Sequence, residues 1–291
     1  MTRVLAIDLG GTNLRAALHS GNVRALETLS REAAPDSLDA FVARIRALCA
    51  EAAPVEALGL AVPGLADGSV CRWIPNLPWL DGVDIAALFP ELRVAVGNDA
   101  QIAMLAEAAD GAAKGMSDAI LLAIGTGIGS AVLANGRIVA GAHGGACSFG
   151  WACADIKDPG DERSGWLERV ASGRALDVLA REIELSDGGQ LIEAARAGEL
   201  AALTVLELPS RRLGIALAGA VALLDPQMIL ISGGLADAVD VIGPPLLAAL
   251  RRQLPSHMRD IVLRPGAFGS RAGLVGAALA GLAGPQWRQI R

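Results

Sequence analysis

The sequence contains few of the residues on which several common protein classes depend. It has no tyrosine, four cysteines, 3% aromatic residues and only two lysines, Lys114 and Lys157. Lysine and arginine number 25 against 31 aspartates and glutamates, a formal charge of −6. This balance argues against a nucleic-acid partner, because phosphate contacts need a basic face. The cysteines form no C-x-x-C pair, which indicates reduced thiols in a cytoplasmic protein.

Long apolar runs are also missing. The longest, at residues 119–134 and 214–224, are interrupted by glycine or too short for a membrane span, which needs about 20 residues. Asp8 interrupts the first apolar stretch, unlike the core of a secretory signal. We therefore expect neither a membrane span nor export.

The chain of 291 residues alternates strand and helix patterns, which is typical of an α/β protein. A single core stops growing near roughly 250–300 residues, so two lobes are expected. A strand, glycine turn and strand open the chain and recur from residue 118. We place the small lobe at residues 1–98 plus 274–291 and the large lobe at 99–273. Ser37 is predicted to cap a helix that runs to about residue 53, a strand is predicted at 57–62, and a turn at Asn135-Gly136. The later elements are predicted as helices at 210–224, 237–252 and from 272, and strands at 228–232 and 261–264.

Glycine-rich turns follow several predicted strands. Asp8-Leu9-Gly10-Gly11-Thr12-Asn13 places a carboxylate before two glycines and a hydroxyl, an arrangement whose backbone N–H groups can bind phosphate. Asp8 beside a phosphate requires a cation, so it is expected to face hydrated Mg²⁺. The alternative is an ordinary hairpin turn.

Two further glycine turns, Gly125-Thr126-Gly127 and Ser232-Gly233-Gly234, lie in the second half. The first is followed by a strand pattern, so it is not a dinucleotide fingerprint. With so few lysines the chain also lacks a P-loop. Glycine turns at strand ends in both halves favour a nucleotide held between two lobes.

Gly97-Asn98-Asp99-Ala100 stands where a strand meets a helix. A carboxylate there can accept a proton from a hydroxyl that attacks phosphorus, and an asparagine can orient that hydroxyl. The alternative is helix capping, since Asn and Asp are preferred N-cap residues.

Short motifs follow one another over about the whole chain: Asp8-Leu9-Gly10-Gly11-Thr12-Asn13-Leu14-Arg15, Val62-Pro63-Gly64, Pro75-Asn76-Leu77, Gly97-Asn98-Asp99-Ala100, Ile124-Gly125-Thr126-Gly127-Ile128-Gly129, Asn135-Gly136, Leu167-Glu168-Arg169-Val170-Ala171-Ser172-Gly173, Asp225-Pro226 and Ser232-Gly233-Gly234. In this order, the set resembles the ROK family of sugar kinases.

The resemblance implies an α/β, two-lobed actin-like ATPase (ribonuclease H-like) fold with a central cleft. It implies ATP-dependent phosphorylation of a sugar hydroxyl, usually the 6-OH of a hexose or hexose derivative, by a homodimer. Asp99 would be the general base. The other sugar-lining positions would be Gly64, Asn76, Asn98, Ser148, Trp151 and Glu168. ATP and Mg²⁺ would be bound by Asp8, Gly10, Gly11, Thr12, Asn13, Arg15, Gly125, Thr126 and Gly127, with Gly233 and Gly234 near the nucleoside, and Asp8 would hold the metal.

The sequence departs from the family at one segment. Where the family has Gly-Glu-hydrophobic-Gly-His, with the Glu and His contacting the sugar near C1 and C2, this chain has Cys147-Ser148-Phe149-Gly150-Trp151. The family's cysteine-rich zinc segment is replaced by residues 159–166, without a thiolate, so no structural zinc is expected. We therefore expect a substrate that differs from glucose at C1 or C2.

The alternative function is a catalytically weak or silent sugar-binding or regulatory protein. In that case Ser148 and Trp151 would abolish sugar binding rather than redirect it. Some relatives are repressors with an N-terminal helix-turn-helix, but here the kinase motif begins close to Met1, so no DNA-binding domain is expected.

Overall fold

The computed structural model describes residues 2–289. It divides into two compact units. Unit 1 comprises Met1–Gly115, Gly136–Ala146 and Arg271–Arg291, and unit 2 comprises Met116–Asn135 and Cys147–Ser270. The helix that begins at Asp99 and residues 136–146 thus belong to unit 1. The lobe boundary expected from the sequence, after residue 98, assigns them to the large lobe instead.

Unit 1 includes the first and the last elements of the described chain. Its elements are β1 (Val4–Leu9), β2 (Asn13–His19), β3 (Glu27–Ala33), α1 (Leu38–Glu51), β4 (Ala57–Val62), β5 (Leu65–Asp67), β6 (Val70–Trp73), α2 (Ile85–Leu88), β7 (Arg93–Asn98), α3 (Asp99–Asp110), β10 (Arg137–Ile138) and α9 (Ala272–Ala283). The main sheet has the order β3-β2-β1-β4-β7. The β1–β2 and β2–β3 pairs are antiparallel, and β4 is parallel to both β1 and β7.

Unit 2 contains β8 (Ala119–Ile124), β9 (Ile128–Ala134), α4 (Trp166–Ala171), α5 (Gly173–Glu182), α6 (Gly188–Arg196), α7 (Leu200–Leu224), β11 (Met228–Ser232), α8 (Val239–Arg252) and β12 (Val262–Pro265). Strand β8 pairs antiparallel with β9 and parallel with β11, which is parallel to β12. The predicted recurrence of a strand, glycine turn and strand is confirmed, since β8–β9 repeats the β1–β2 hairpin.

Local sequence signals place several boundaries correctly. The side chain of Ser37 caps α1 by accepting a hydrogen bond from Ala40 N at 3.4 Å. The predicted strands at 57–62 and 228–232 agree with β4 and β11. Asn135 and Gly136 both have positive φ, 49° and 71°, as the predicted turn requires.

The predicted start of α7 is wrong. The helix begins at Leu200, ten residues before the expected start after Pro209, and Pro209 lies buried inside it. A proline in a helix removes one backbone donor, but packing of a long helix can outweigh this local cost. One face of α7 packs on α8, α6 and α4, which holds the helix together across the proline.

Helix α9 packs closely on the sheet of unit 1 because glycine keeps the contact surface flat. A Cβ atom on Gly59 of β4 would lie 1.8 Å from Ala277 O of α9. Helix α9 packs equally closely on α3, since a Cβ atom on Gly276 would lie 1.9 Å from Ile102 O. This close approach places the start of α9 beside the carboxyl end of β1.

Among residues 2–289, one segment, Gly233–Arg252, is long and apolar enough to cross a membrane by length and composition, with 39% of its most apolar window buried. It consists of a 3₁₀ turn and α8, and it includes Pro244 and Pro245. Helix α8 packs on α7 and β12, and a core helix passes the same compositional test. The absence of a membrane span therefore stays a prediction.

Candidate active site

The carboxyl edge of the unit 1 sheet collects the predicted residues of the first half of the chain. Because β1, β4 and β7 are parallel, the segments that follow them meet at one edge. Asp8 lies near the end of β1, Gly64 follows β4, and Asn98 ends β7. The topology therefore brings together motifs that are up to 90 residues apart in sequence.

Asp8 is buried, with 8% of its surface exposed, and forms an ion pair with Arg15. The two residues face each other across the β1–β2 hairpin. Gly273, in the first turn of α9, leaves the space that the carboxylate occupies, because a Cβ atom there would lie 2.3 Å from Asp8 Oδ2. Sequence analysis did not find Gly273, since only the packing of α9 reveals its role.

The turn that joins β1 to β2 is exposed. Gly10 N donates to Asn13 O at 2.8 Å, and the Asn13 amide donates to Thr12 Oγ1 at 2.9 Å. Gly11 lies against Asn76, where an added Cβ would be 2.7 Å from Asn76 Cβ. The structure therefore brings a predicted phosphate-binding turn next to a predicted sugar contact.

Asn98 and Asp99 hold the start of α3. Asn98 Oδ1 accepts hydrogen bonds from Ala100 N at 3.0 Å and Gln101 N at 3.3 Å, so the capping interpretation is correct for Asn98. Its amide nitrogen donates to Gly64 O at 3.1 Å, which joins the cap to the turn after β4. Asp99 Oδ1 accepts from Ala100 N at 2.7 Å, which fixes the orientation of that carboxylate.

The carboxyl groups at this edge have raised pKa values. Asp99 keeps part of its surface exposed, but burial of its carboxyl and repulsion from Asp8 raise its pKa to about 6. Burial also raises the pKa of Asp8, and the charge of Arg15 partly offsets this. A carboxyl with a pKa of about 6, on a residue that is not fully buried, is suited to act as a proton acceptor.

In unit 2, the glycine turns after β8 and β11 meet at one edge because these strands are parallel. A Cβ atom on Gly233, which has φ of +77°, would lie 2.7 Å from Ile124 O at the end of β8. The start of α5 packs on the same turn, where Gly173 N donates to Gly125 O at 2.8 Å. Three chain segments thus share one surface.

A cavity of about 470 Å³ opens beside these turns and is lined by Gly125, Thr126 and Gly234. Sequence analysis missed its other walls, which come from α5, α6 and the 3₁₀ turn after Gly233. Leu176, Ile192 and Leu235 supply apolar surface, while Arg174, Asp177 and Asp237 supply charge. The signals that could have found them are the cap-plus-glycine sequences Ser172-Gly173 and Asp187-Gly188 at the starts of α5 and α6.

Glu168, predicted as a sugar contact, lies against the first glycine turn of unit 2. Its Oε2 accepts a hydrogen bond from Ile128 N at 2.9 Å. A Cβ on Gly127 would lie 2.5 Å from the same oxygen. This carboxylate therefore supports the turn between β8 and β9, a contact that the sequence alone did not indicate.

Ser148 and Trp151 are exposed in the segment that departs from the family pattern. Cys147 has φ of +67°, a left-handed conformation that favours glycine, the residue that the family pattern has at this position. Phe149 N donates to Cys147 O at 2.7 Å, which closes a tight turn around Ser148. The hydroxyl of Ser130 holds this turn by donating to Cys147 O and accepting from Phe149 N.

Both the sequence and the fold are similar to those of known proteins. A sequence model described as the ROK family matches residues 4–282. The chain belongs to the ROK family. It is 33% identical over 296 residues to the kanosamine kinase of Amycolatopsis mediterranei, covering 96% of each protein. It is 27% identical over 304 residues to the glucokinase of Thermotoga maritima, covering 95% of this chain and 96% of that one.

The structure is similar to the ROK family glucokinase from Streptomyces griseus in complex with glucose and AMPPNP. The TM-score is 0.81 at 26% identity, with 97% of this chain and 100% of the other covered. The α/β, actin-like ATPase fold predicted from the resemblance is therefore confirmed. This ROK protein is a carbohydrate kinase, and its substrate is a small-molecule sugar.

Within residues 2–289, no group of three or more His, Cys, Asp or Glu side chains is placed to share a metal ion. The absence of a structural zinc ion stays a prediction.

Proposed function

We propose that this ROK kinase transfers the γ-phosphoryl group of ATP to a sugar hydroxyl, the 6-OH of a hexose or hexose derivative, with Asp99 as general base. The observation that carries the proposal is the pKa and the fixed orientation of the Asp99 carboxyl. Its carboxyl has a pKa of about 6, is oriented by Ala100 N and stands at the same sheet edge as Asp8 and Gly64. At neutral pH such a group is ionised and able to accept a proton.

In the proposed reaction, the Asp99 carboxylate accepts the proton of the sugar hydroxyl as the hydroxyl oxygen bonds to the γ-phosphorus. The bond from phosphorus to the bridging oxygen breaks, and ADP leaves with that electron pair. Asn98 and Gly64, joined by their hydrogen bond, would position the sugar beside the base. Positioning of this kind supplies much of the rate in phosphoryl transfer.

The cavity of unit 2 supports the nucleotide half of the proposal. Its volume and apolar walls suit an adenosine, with Leu176, Ile192 and Leu235 as the apolar contacts. The phosphates would then bind at Gly125-Thr126-Gly127. The starts of α5 and α6 also lie at this cavity, and helix N-termini favour anions.

Asp8 fits a role beside magnesium. Asp8 and Asp99 repel each other, and a divalent cation that is ligated by oxygen would relieve this repulsion. Asp8 is the residue that would hold Mg²⁺ bound with ATP, and the ion would neutralise charge on the phosphates. Arg15, its ion-pair partner, holds the Asp8 side chain in place.

The presence of Ser148 and Trp151 supports the proposal that the substrate differs from glucose at C1 or C2. A serine hydroxyl does not reach as far as the glutamate carboxylate of the family pattern and carries no charge. A site built to hydrogen-bond a substrate hydroxyl disfavours an analogue that lacks this hydroxyl by as much as about 10⁴-fold in kcat/KM. The exposed indole of Trp151 would fill space or stack on an apolar sugar face.

The test is ADP release across glucose, kanosamine, N-acetylated amino sugars, β-glucosides and ketoses, followed by Asp99→Asn with the best substrate. We expect kcat to fall by about 10² to 10⁴-fold with ATP binding unchanged. Asp39→Asn, in the first turn of α1, is the matched control and should behave as the wild type.

Unchanged turnover in Asp99→Asn would show that another group is the base. If glucose is turned over as well as or better than every other sugar, the proposed selectivity is wrong. Sugar binding without phosphorylation of any sugar would instead favour the silent binding protein.

A further inference from the structure

The loop at residues 152–165 joins the short turn Phe149–Trp151 to α4, and its last residue, Gly165, contacts that turn. A Cβ atom on Gly165 would lie 2.1 Å from Gly150 O and 2.3 Å from Trp151 Cα. The end of the loop therefore packs directly on the backbone of the segment that holds Ser148 and Trp151. Any change in the path of the loop is transmitted to that segment.

The loop has no hydrophobic anchor of its own. Between residues 152 and 164, all of which the structure describes, no side chain is buried, and Ile156 is fully exposed. A segment without buried apolar surface needs other contacts to offset the entropy of ordering it.

Arg169, on α4, supplies such contacts. It donates to both carboxylate oxygens of Asp158, at 2.7 and 2.6 Å, and to Ser164 O at 2.6 Å. One guanidinium thus holds both the middle and the end of the loop. The Arg169–Asp158 ion pair is partly shielded from solvent. Its side chains are 27% and 15% exposed, compared with 49% and 58% for the surface pair Arg211–Glu207.

Several polar groups of the loop also make local contacts with its backbone. Asp158 Oδ1 also accepts from Gly160 N, and Asp161 Oδ1 accepts from Arg163 N and Ser164 N. The thiol of Cys153 donates to Asp155 O at 3.2 Å. One exposed thiol and carboxylates that already bind arginine or backbone N–H groups do not fit a tetrahedral zinc site.

We propose that the Asp158–Arg169 ion pair orders the 152–165 loop in place of a metal ion and so positions Ser148 and Trp151 for the sugar. Arg169 is then a positioning residue that acts on substrate affinity through the loop. The sugar part of this inference rests on the proposed function, whereas the ordering of the loop stands apart from it.

The kinetic test compares Arg169→Gln, Arg169→Lys and Asp158→Asn with the control Arg211→Gln. We expect KM for the sugar to rise about 10-fold or more in Arg169→Gln and Asp158→Asn, because the charge-assisted contact between Arg169 Nη2 and the Asp158 carboxylate is lost. KM for ATP and kcat should change little. Arg169→Lys keeps the charge but has a single nitrogen, so it cannot contact Asp158 and Ser164 O together as Nη2 and Nη1 of arginine do, and its KM should be intermediate. In the double variant that combines Arg169→Gln with Asp158→Asn, KM for the sugar should be no higher than in either single variant.

The structural test is limited trypsin digestion, read by mass spectrometry at Arg163, an exposed site within the loop. Cleavage there should be about 10-fold faster in Arg169→Gln and unchanged in Arg211→Gln, since proteolysis follows local opening. Cleavage after Lys157 is not compared in Asp158→Asn, because the substitution alters the residue next to that bond.

Equal cleavage in the wild type and Arg169→Gln would overturn the ordering role. Faster cleavage with an unchanged KM for the sugar would overturn the positioning role. One zinc per chain in the purified wild type, measured by plasma mass spectrometry, would overturn the replacement of a metal. If no sugar is phosphorylated, the proposed function fails, while the digestion still decides the role of the ion pair.

Discussion

The carboxyl of Asp99 is buried next to that of Asp8, and the two negative charges repel each other at one edge of the unit 1 sheet. Burial contributes most to the raised pKa of Asp99, and Asp8 adds to it. Hydrogen bonds from Ala100 N and Asn98 act in the opposite direction. The native protein therefore holds a carboxyl group that is costly to ionise and reactive once ionised.

The first prediction concerns the pH dependence of the reaction. A base works only when deprotonated, so kcat/KM for the sugar should fall as the pH drops through about 6, the pKa of Asp99. Below it, the rate should fall about tenfold for each pH unit. The measurement is a pH–rate profile at constant ionic strength. A profile that stays flat down to pH 4.5 would contradict the role of Asp99.

The second prediction concerns stability without substrates. The unfolded chain ionises Asp99 near pH 3.9, and the native chain near 6, so ionisation of Asp99 destabilises the fold as the pH rises through this interval. Asp99→Asn removes this cost and should raise the free energy of unfolding at pH 7.5 by about 2–3 kcal/mol. Near pH 4 the gain should be small. Urea denaturation at both pH values measures it, and equal gains at both would contradict the linkage.

The third prediction concerns the close contact between α5 and the glycine turn after β8. In Gly173→Ala the new methyl would lie 2.6 Å from Gly125 O, so the turn must move. We expect KM for ATP to rise roughly ten- to hundredfold, because small displacements of a binding loop are costly. KM for the sugar should stay close to the wild-type value.

Gly219→Ala is the matched control for this substitution. An added Cβ on Gly219 meets nothing within 4 Å, and the residue lies on the exposed face of α7. The control should gain about 0.5–1 kcal/mol of stability from helix propensity and keep wild-type kinetics. Identical KM values for ATP in both variants would refute the importance of the α5 contact.

The fourth prediction separates the structural role of Glu168 from its proposed sugar contact. Glu168→Ala leaves Ile128 N without its acceptor and should cost about 1–3 kcal/mol of stability. Glu168→Gln keeps an oxygen acceptor, so its thermal stability should be near that of the wild type, while loss of charge raises KM for the sugar. Thermal unfolding and steady-state kinetics test both, and equal stability losses in the two variants would refute the hydrogen-bonding role.

Much of the fold could be predicted from local pattern. Alternating or continuous apolar runs bounded by glycine and proline predict β4 and β11, and Ser37 predicts the start of α1. The early start of α7 could not be predicted, because Pro209 is a local helix breaker and only packing against other helices overrides it.

The residues of the candidate site likewise divide into those that local sequence predicts and those that only packing reveals. Motif order alone indicates Asp99, Asn98 and the glycine turns, because each motif is a short run of neighbouring residues. Gly97 is different: a Cβ there would lie 2.5 Å from the ring of Trp287, which donates from its indole nitrogen to Val96 O. That requirement involves a residue almost 200 positions away, which no local pattern contains.

By itself, the sequence determined the α/β class, the two hairpins with glycine turns, and the family, because these depend on periodicity and on contiguous motifs. Only the tertiary structure decided that Gly273 makes room for Asp8, that Glu168 binds the turn before β9, and that Arg169 holds the 152–165 loop. These contacts arise where α4, α9 and the loop pack against other elements. Their geometry depends on how the whole unit folds, and a one-dimensional pattern does not specify it.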